Sequence, residues 1–426
     1  MMPKIFSFFR KQYAKLGPGF VTGAADDDPS GVATYSIAGA QFGYKLSWLS
    51  LFLIPMMISI QEMCARIGMC SGMGLAGVIK KYHSKKLLFF SVSLLIVANV
   101  INITADLSIM AASLQMVLGM PYLYWLAVIT VVSVGLEVFI SYKNYSQFLK
   151  WAGMSLLVYA VTAFLVKQDW TSVVKYTFIP HIEFTLPFLM AIVGFLGTTI
   201  SPYLFFWQAD EEIEEEIQDG EVKDFSSKVH LKKRSLIIMQ NDTATGMIFS
   251  NIISFFIILT TAGTLFAAGI TDIETPQQVA LALKPLAGNF AYLLFAFGII
   301  GIGLQAVPIF AGGIAYAVSE AFGWKEGLGK QLKDAKAFYL IIALATVLGA
   351  ILNVTGINPI KALYYAAIIN GVISVPLIAI IIRLASDKRV VGNNKTSRIH
   401  TIIGWVTFLF VGAASVLMIW NMIFPK

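Results

Sequence analysis

Three consecutive carboxylates, Asp26, Asp27 and Asp28, stand directly before Pro29-Ser30-Gly31 inside an apolar run. An ionised side chain near the middle of a bilayer is costly, so such residues face a polar cavity and a partner. Three side by side repel one another, so either some hold protons or a cation neutralises them. Successive helical residues point about 100° apart, so at most one or two can address the same point. Asp28 sits where Pro29 must unwind the helix, and its carboxylate can join the backbone carbonyls released there. Carboxylate, carbonyl and hydroxyl oxygens together suit a hard cation.

A second break of the same kind lies in Gly197-Thr198-Thr199-Ile200-Ser201-Pro202, where Thr198 and Ser201 can add oxygens from side chain or backbone. Asp106 is another acid in an apolar run, with Asn102 and Thr104 beside it. It reads as a proton acceptor or a wall of a cation path, or else as a carboxyl satisfied between helices. Asn370 and Ser374 lie one turn apart and can face the same cavity, or serve packing alone. Gln305 near Pro308 carries the same two readings. Glu137 reads as structural or snorkelling, and Glu62 with Arg66 as an i,i+4 pair. His83, His181, His230 and His400 all fall in connectors or at the ends of apolar runs, which leaves no histidine relay through the core.

These groups need elements that hold them in lipid. The chain has 426 residues, 57% hydrophobic and only 13% charged, with a mean hydropathy of +0.75. A soluble domain could not hide that much apolar surface. Eleven runs are long enough to cross roughly 30 Å of hydrocarbon. With the N-terminus inside, 25 of the 31 Lys and Arg fall in cytoplasmic segments, as the positive-inside rule requires. The net charge of +7 therefore reports topology and excludes a nucleic-acid partner. Cys64 and Cys70 are too few for a disulfide framework and match no zinc spacing. The basic stretch Met1–Lys15 has no cleavage site after it, so the first apolar run reads as a retained span.

The expected organisation is all-α and integral to the cell membrane. It has a cytoplasmic N-terminus (1–16), five spans over 17–166, five more over 186–382 and an eleventh helix over 401–424 with the C-terminus outside. The one long polar insert, 209–234, reads first as a solvated, charge-laced cytoplasmic helix with a basic edge, and second as an acidic rim at an inner mouth. The two breaks fall in the first span of each group of five. Five is odd, so the second group enters from the opposite side, and matched breaks in inverted halves point to a transporter's central site.

The residues that follow this pattern resemble the NRAMP metal-ion transporters. Gly17-Pro18-Gly19-Phe20, Asp28-Pro29 and Ala38 through Tyr44 are similar to that family's first helix. Ala65-Arg66-Ile67-Gly68 resembles the second, Thr104-Ala105-Asp106-Leu107 the third, and Gly197 through Pro202 the sixth. The resemblance implies a LeuT-like 5+5 inverted repeat with helices one and six interrupted, and divalent-metal transport usually coupled to protons.

The departures carry information. The family's Asp-Pro-Gly-Asn reads Asp28-Pro29-Ser30-Gly31 here, and its Met-Pro-His reads Ser201-Pro202-Tyr203. Loss of the thioether removes a preference for soft metals. Gln208 replaces a second histidine and Ile109 a glutamate, while Asp26 and Asp27 are gained. This pattern resembles the family's magnesium-transporting branch.

The implied metal set is Asp28, Asp27, Gly31, Thr198 and Ser201, with Asp26, Asp106, Tyr203 and Asn370 along the cation path or accepting protons. No catalytic constellation is present, and the metal is cargo, with no cofactor expected. The leading expectation is uptake of Mg²⁺, with Mn²⁺ open. A proton-coupled Mn²⁺/Fe²⁺ symporter is the alternative, and a sodium-coupled amino-acid or amine carrier on the same fold is the third.

Overall fold

A computed structural model describes residues 17–139, 154–227 and 233–424, and these are helical with no strand among them. The first apolar run divides into α1 (Pro18–Asp26) and α2 (Pro29–Phe42). Then come α3 (Ser47–Ser71), α4 (Leu75–Tyr82), α5 (Lys85–Leu118), α6 (Tyr122–Phe139), α7 (Leu157–Leu165) and α8 (Trp170–Phe178). The sixth run also divides, into α9 (Leu186–Thr199) and α10 (Pro202–Gln218). After it follow α11 (Lys233–Thr261), α12 (Ala291–Phe322), α13 (Lys336–Leu352), α14 (Pro359–Ser386) and α15 (Arg398–Ile423). The second member of each broken pair opens on a proline, where a missing N–H costs nothing.

Eight helical stretches among the described residues are long and apolar enough to cross a membrane, against eleven expected. Pro29–Ser71 runs as one stretch and holds two of the expected spans. Lys336–Leu352 is apolar but only 17 residues long. The expected fifth span, 147–166, lies partly outside the described residues, and the expected cytoplasmic N-terminus, 1–16, wholly outside them.

The broken helices sit at the centre. α1, α2 and α3 pack on α11, α9 packs on α14 and α2, and α5 packs on α12. Lipid offers no hydrophobic drive between helices, so close backbone approach has to be built from small residues. A Cβ at Gly23 would lie 2.3 Å from the Gly246 carbonyl group on α11. In the other half, a Cβ at Gly197 would lie 1.9 Å from Ala367 O on α14. Each broken helix is thus seated on its neighbour by glycine.

The acid run corrects an expectation. It is not a solvated face: α10 continues through Gln218, and Asp210, Glu211, Glu212 and Glu214 are all buried. Partners come from the same helix and from remote chain. Gln208 Nε2 donates to Glu212 Oε1 at 2.7 Å, and the Tyr316 hydroxyl donates to Glu214 Oε1 at 2.7 Å. Glu320 at the end of α12 accepts from the N–H groups of Gly74 (2.6 Å) and Gly77 (2.8 Å). In the loop beyond, burial first and the nearby Glu320 second push the Glu326 carboxyl up to about 10.

Two outcomes are expected. Gly23→Ala lowers the melting temperature of the detergent-purified protein by an amount equivalent to about 1–3 kcal/mol of overpacking. Gly135→Ala on α6, where a Cβ meets nothing within 4 Å, leaves it unchanged; equal behaviour of the two would refute the seating role. Glu326→Gln is read through pH. Well below the ordinary carboxyl value of 4.5 folded and unfolded chains both hold the proton, and the variant melts like the parent. As pH rises from there towards 10, the unfolded chain releases its proton first and folding is opposed. The neutral variant should therefore melt higher than the parent at about pH 8.

Candidate metal centre

Both breaks are built alike. After α1 the chain turns at Asp27 (φ −84°, ψ 52°) and runs extended at Asp28 (φ −68°, ψ 175°) into Pro29. After α9 it turns at Ile200 (φ −114°, ψ 62°) and runs extended at Ser201 (φ −84°, ψ 140°) into Pro202. The breaks meet. Ser30 Oγ lies 3.4 Å from Thr198 Oγ1, the Tyr35 hydroxyl 3.1 Å from Thr199 Oγ1, and the Tyr203 hydroxyl donates to Ala25 O at 3.0 Å.

Asp28 lies at this joint. Its Oδ1 accepts from Ser30 Oγ at 2.6 Å and from Gly31 N at 2.7 Å, capping α2. Its Oδ2 is buried with no hydrogen-bond partner. One edge of the carboxylate is therefore fixed by the helix start, and the other is not. Gly31 serves through its N–H as part of that cap. A side chain there would crowd Thr198 Oγ1, 3.2 Å from an added Cβ.

Asp26 and Asp27 turn the other way. Both accept from Ser250 Oγ on α11, Asp27 Oδ1 at 3.3 Å, while Asp26 Oδ1 and Asp27 Oδ2 have no partner. One hydroxyl proton thus serves two carboxylates. Among the described residues no three carboxylate, imidazole or thiol groups converge as a metal cluster would. The three acids fan out instead of gathering on one ion. Ser201 Oγ turns back onto Gly197 O and Thr198 O (3.1 Å to the latter), so its proton is spent inside the break.

Asp106 on α5 is fully buried with both oxygens unpartnered, and it is close enough to Asp28 to interact with it electrostatically. Asn370 does not join it through a hydrogen bond. The amides of Asn370 and Asn102 instead pair reciprocally at 3.0 and 3.3 Å, locking α14 to α5. Gln305 is buried with neither amide atom partnered. Glu137 accepts from Thr346 across to α13. The Glu62–Arg66 pair forms and is extended by Gln240, His400 and the Asn394 carbonyl.

Ser250 escaped the sequence reading. The signal was available: Gly246, Ser250 and Ser254 repeat at four-residue spacing on α11, and that face meets α1 at Gly23. What the spacing could not reveal is that Ser250 falls level with the acids.

A family profile described as natural resistance-associated macrophage protein-like matches residues 19–421. The divalent metal cation transporter MntH of Caldanaerobacter subterraneus subsp. tengcongensis is 25% identical over 418 residues, covering 94% of this chain and 91% of that one. MntH of Deinococcus radiodurans is 24% identical over 418 residues, covering 96% and 90%. Among solved structures, a manganese transporter of Eremococcus coleocola is similar with a TM-score of 0.72 at 17% identity, covering 99% of this chain and 90% of that chain. Mhp1, a nucleobase-cation-symport-1 family transporter, is similar with a TM-score of 0.61 at 11% identity, covering 96% and 93%. At those identities the structural likeness is one of fold, and it supports the all-helical LeuT-like fold expected from the sequence.

Ser250→Ala is expected to leave Asp26 and Asp27 without their shared donor, at a cost of about 1–3 kcal/mol. The readout is a lower melting temperature for the purified protein, restored by Ser250→Thr. An unchanged melt for the alanine variant would mean that this contact does not hold the first break against α11.

Proposed function

Because this chain belongs to the natural resistance-associated macrophage protein-like family, we propose that it carries divalent metal cations across the cell membrane by alternating access, Mg²⁺ ahead of Mn²⁺, with Asp28 as the central ligand. The observation that carries this reading is the second Asp28 oxygen, buried and unpartnered at the joint of two broken helices. The side chains that the two breaks bring together at this joint carry hydroxyl oxygens, those of Ser30, Thr198, Ser201 and Tyr203, while the Gly31 N–H is already engaged on the other Asp28 oxygen. Such a set favours a hard cation. Magnesium sheds water reluctantly and needs only one or two carboxylates from a protein. A single inward-facing carboxylate edge supports that mode better than a cage of protein ligands.

The relatives named divalent metal cation transporter support the coarse function, and the ligand chemistry supports the finer one. The MntH proteins and the manganese transporter make Mn²⁺ the competing cargo. With the N-terminus inside and the C-terminus outside, the basic connectors face the cytoplasm. Uptake then runs down the membrane potential. Two charges crossing 100 mV release roughly 4.6 kcal/mol, enough to drive accumulation without protons.

The test is ion flux into proteoliposomes for Mg²⁺, Mn²⁺ and Ca²⁺, with internal pH followed. The expected result is Mg²⁺ flux without acidification, falling to background in Asp28→Asn. Mn²⁺ influx that excess Mg²⁺ fails to compete, accompanied by acidification, would overturn the magnesium reading in favour of a proton-coupled Mn²⁺/Fe²⁺ symporter. Full flux in Asp28→Asn would overturn the site itself.

A further inference from the structure

A proline inside a helical run strips the carbonyl four residues earlier of its helical donor. For Pro29 that carbonyl is Ala25 O, and for Pro202 it is Thr198 O. Both would otherwise be bare oxygens at the joint of the breaks, ready to bind a cation. Neither is bare. The Tyr203 hydroxyl reaches from one broken helix to the other and donates to Ala25 O at 3.0 Å. The Ser201 hydroxyl is shared within its own break between Gly197 O, the shorter contact, and Thr198 O at 3.1 Å. Both residues are fully buried, and the Tyr203 ring is held edge-on by Phe310 with centroids 4.5 Å apart at 79°. The covering hydroxyl therefore has a fixed position.

We propose that Tyr203 and Ser201 set which divalent cation is carried, by covering the two backbone carbonyls that Pro29 and Pro202 release. The proposal rests on Asp28 being the central ligand. A cation arriving at Asp28 meets one free carboxylate oxygen and two carbonyls already engaged. Calcium takes six to eight oxygens at flexible distances and gains from every extra protein oxygen. Magnesium keeps several of its waters and gains little from them. Covering the carbonyls therefore penalises calcium more than magnesium, with manganese between them. Tyr203 and Ser201 are positioning residues in this scheme: they act on the carbonyls and need not touch the ion.

The experiment compares parent, Tyr203→Phe and Ser201→Ala in proteoliposomes, with KM and maximal flux measured separately for Mg²⁺, Mn²⁺ and Ca²⁺. Uncovering a carbonyl should lower the KM for Ca²⁺ relative to that for Mg²⁺ by roughly two- to tenfold, the worth of one net hydrogen bond. Mn²⁺ should move the same way by less. A merely structural hydroxyl would change all three cations by one factor, and an unmoved KM ratio in both variants overturns the proposal. If Tyr203→Phe does not fold, Ser201→Ala decides alone on the same criterion. Asp28→Asn, run in parallel, separates the two layers. Its retention of flux defeats the site and this inference with it. Its loss of flux with unmoved ratios defeats only the inference.

Discussion

The structure depends on one constraint: backbone polar groups freed inside a membrane must find partners within the protein. Two prolines create the problem at two places, and the fold solves one by bringing the places together and the other from within. The Tyr203 hydroxyl answers Pro29, and the Ser201 hydroxyl answers Pro202. Because the first answer crosses between the broken helices, the first break depends on the second. The seats of α1 on α11 and of α9 on α14 are made of glycine, which holds the two breaks in register. A shift of an ångström in either seat would draw the Tyr203 hydroxyl away from the carbonyl it serves.

The acids are the second layer of the same argument. Four buried carboxylates, Asp26, Asp27, Asp28 and Asp106, surround the joint, and none takes part in an ion pair among the described residues. Hydroxyl and backbone donors satisfy some of their oxygens and leave others without partners. An arrangement of this kind is poor for stability and good for a mobile positive charge, whether cation or proton. The division of labour is steric. Ser250 draws Asp26 and Asp27 towards α11, and the α2 cap holds Asp28 at the joint, so only one of the three consecutive acids addresses it.

Much of this was legible in the sequence because its cause is local. Asp-Pro and Ser-Pro inside apolar runs force breaks whatever surrounds them, and Asp28 follows from its place before Pro29. The spacing of Glu62 and Arg66 likewise fixes their pairing. What the sequence withheld is non-local. Asp210 through Glu214 read as a solvated helix because charge runs usually are; the Tyr316 hydroxyl that meets Glu214 in the interior comes from 102 residues away. Asn370 looked free to face a cavity, and its partner Asn102 lies 268 residues away in sequence. Ser201 read as an oxygen ligand, and the Pro202 that made it attractive is also what turns its proton inward.

On the magnesium reading proposed above, that last reversal bears on how a hard-cation site would arise from a fold similar to that of a manganese transporter. Replacing a thioether by a hydroxyl at position 201 does two things. It removes a soft donor, and it brings a proton that the neighbouring freed carbonyl can accept, which a thioether could not supply. A tyrosine at 203 does the same for the opposite break. Each change therefore subtracts from the protein's direct ligand count twice, once by its own chemistry and once by engaging a carbonyl. The cation best suited to what remains is one that brings its own oxygens. Magnesium, with its tightly held waters, is the ion that the proposed reading puts there. Its selection would then follow less from a cage shaped to its radius than from the protein's restraint in offering ligands.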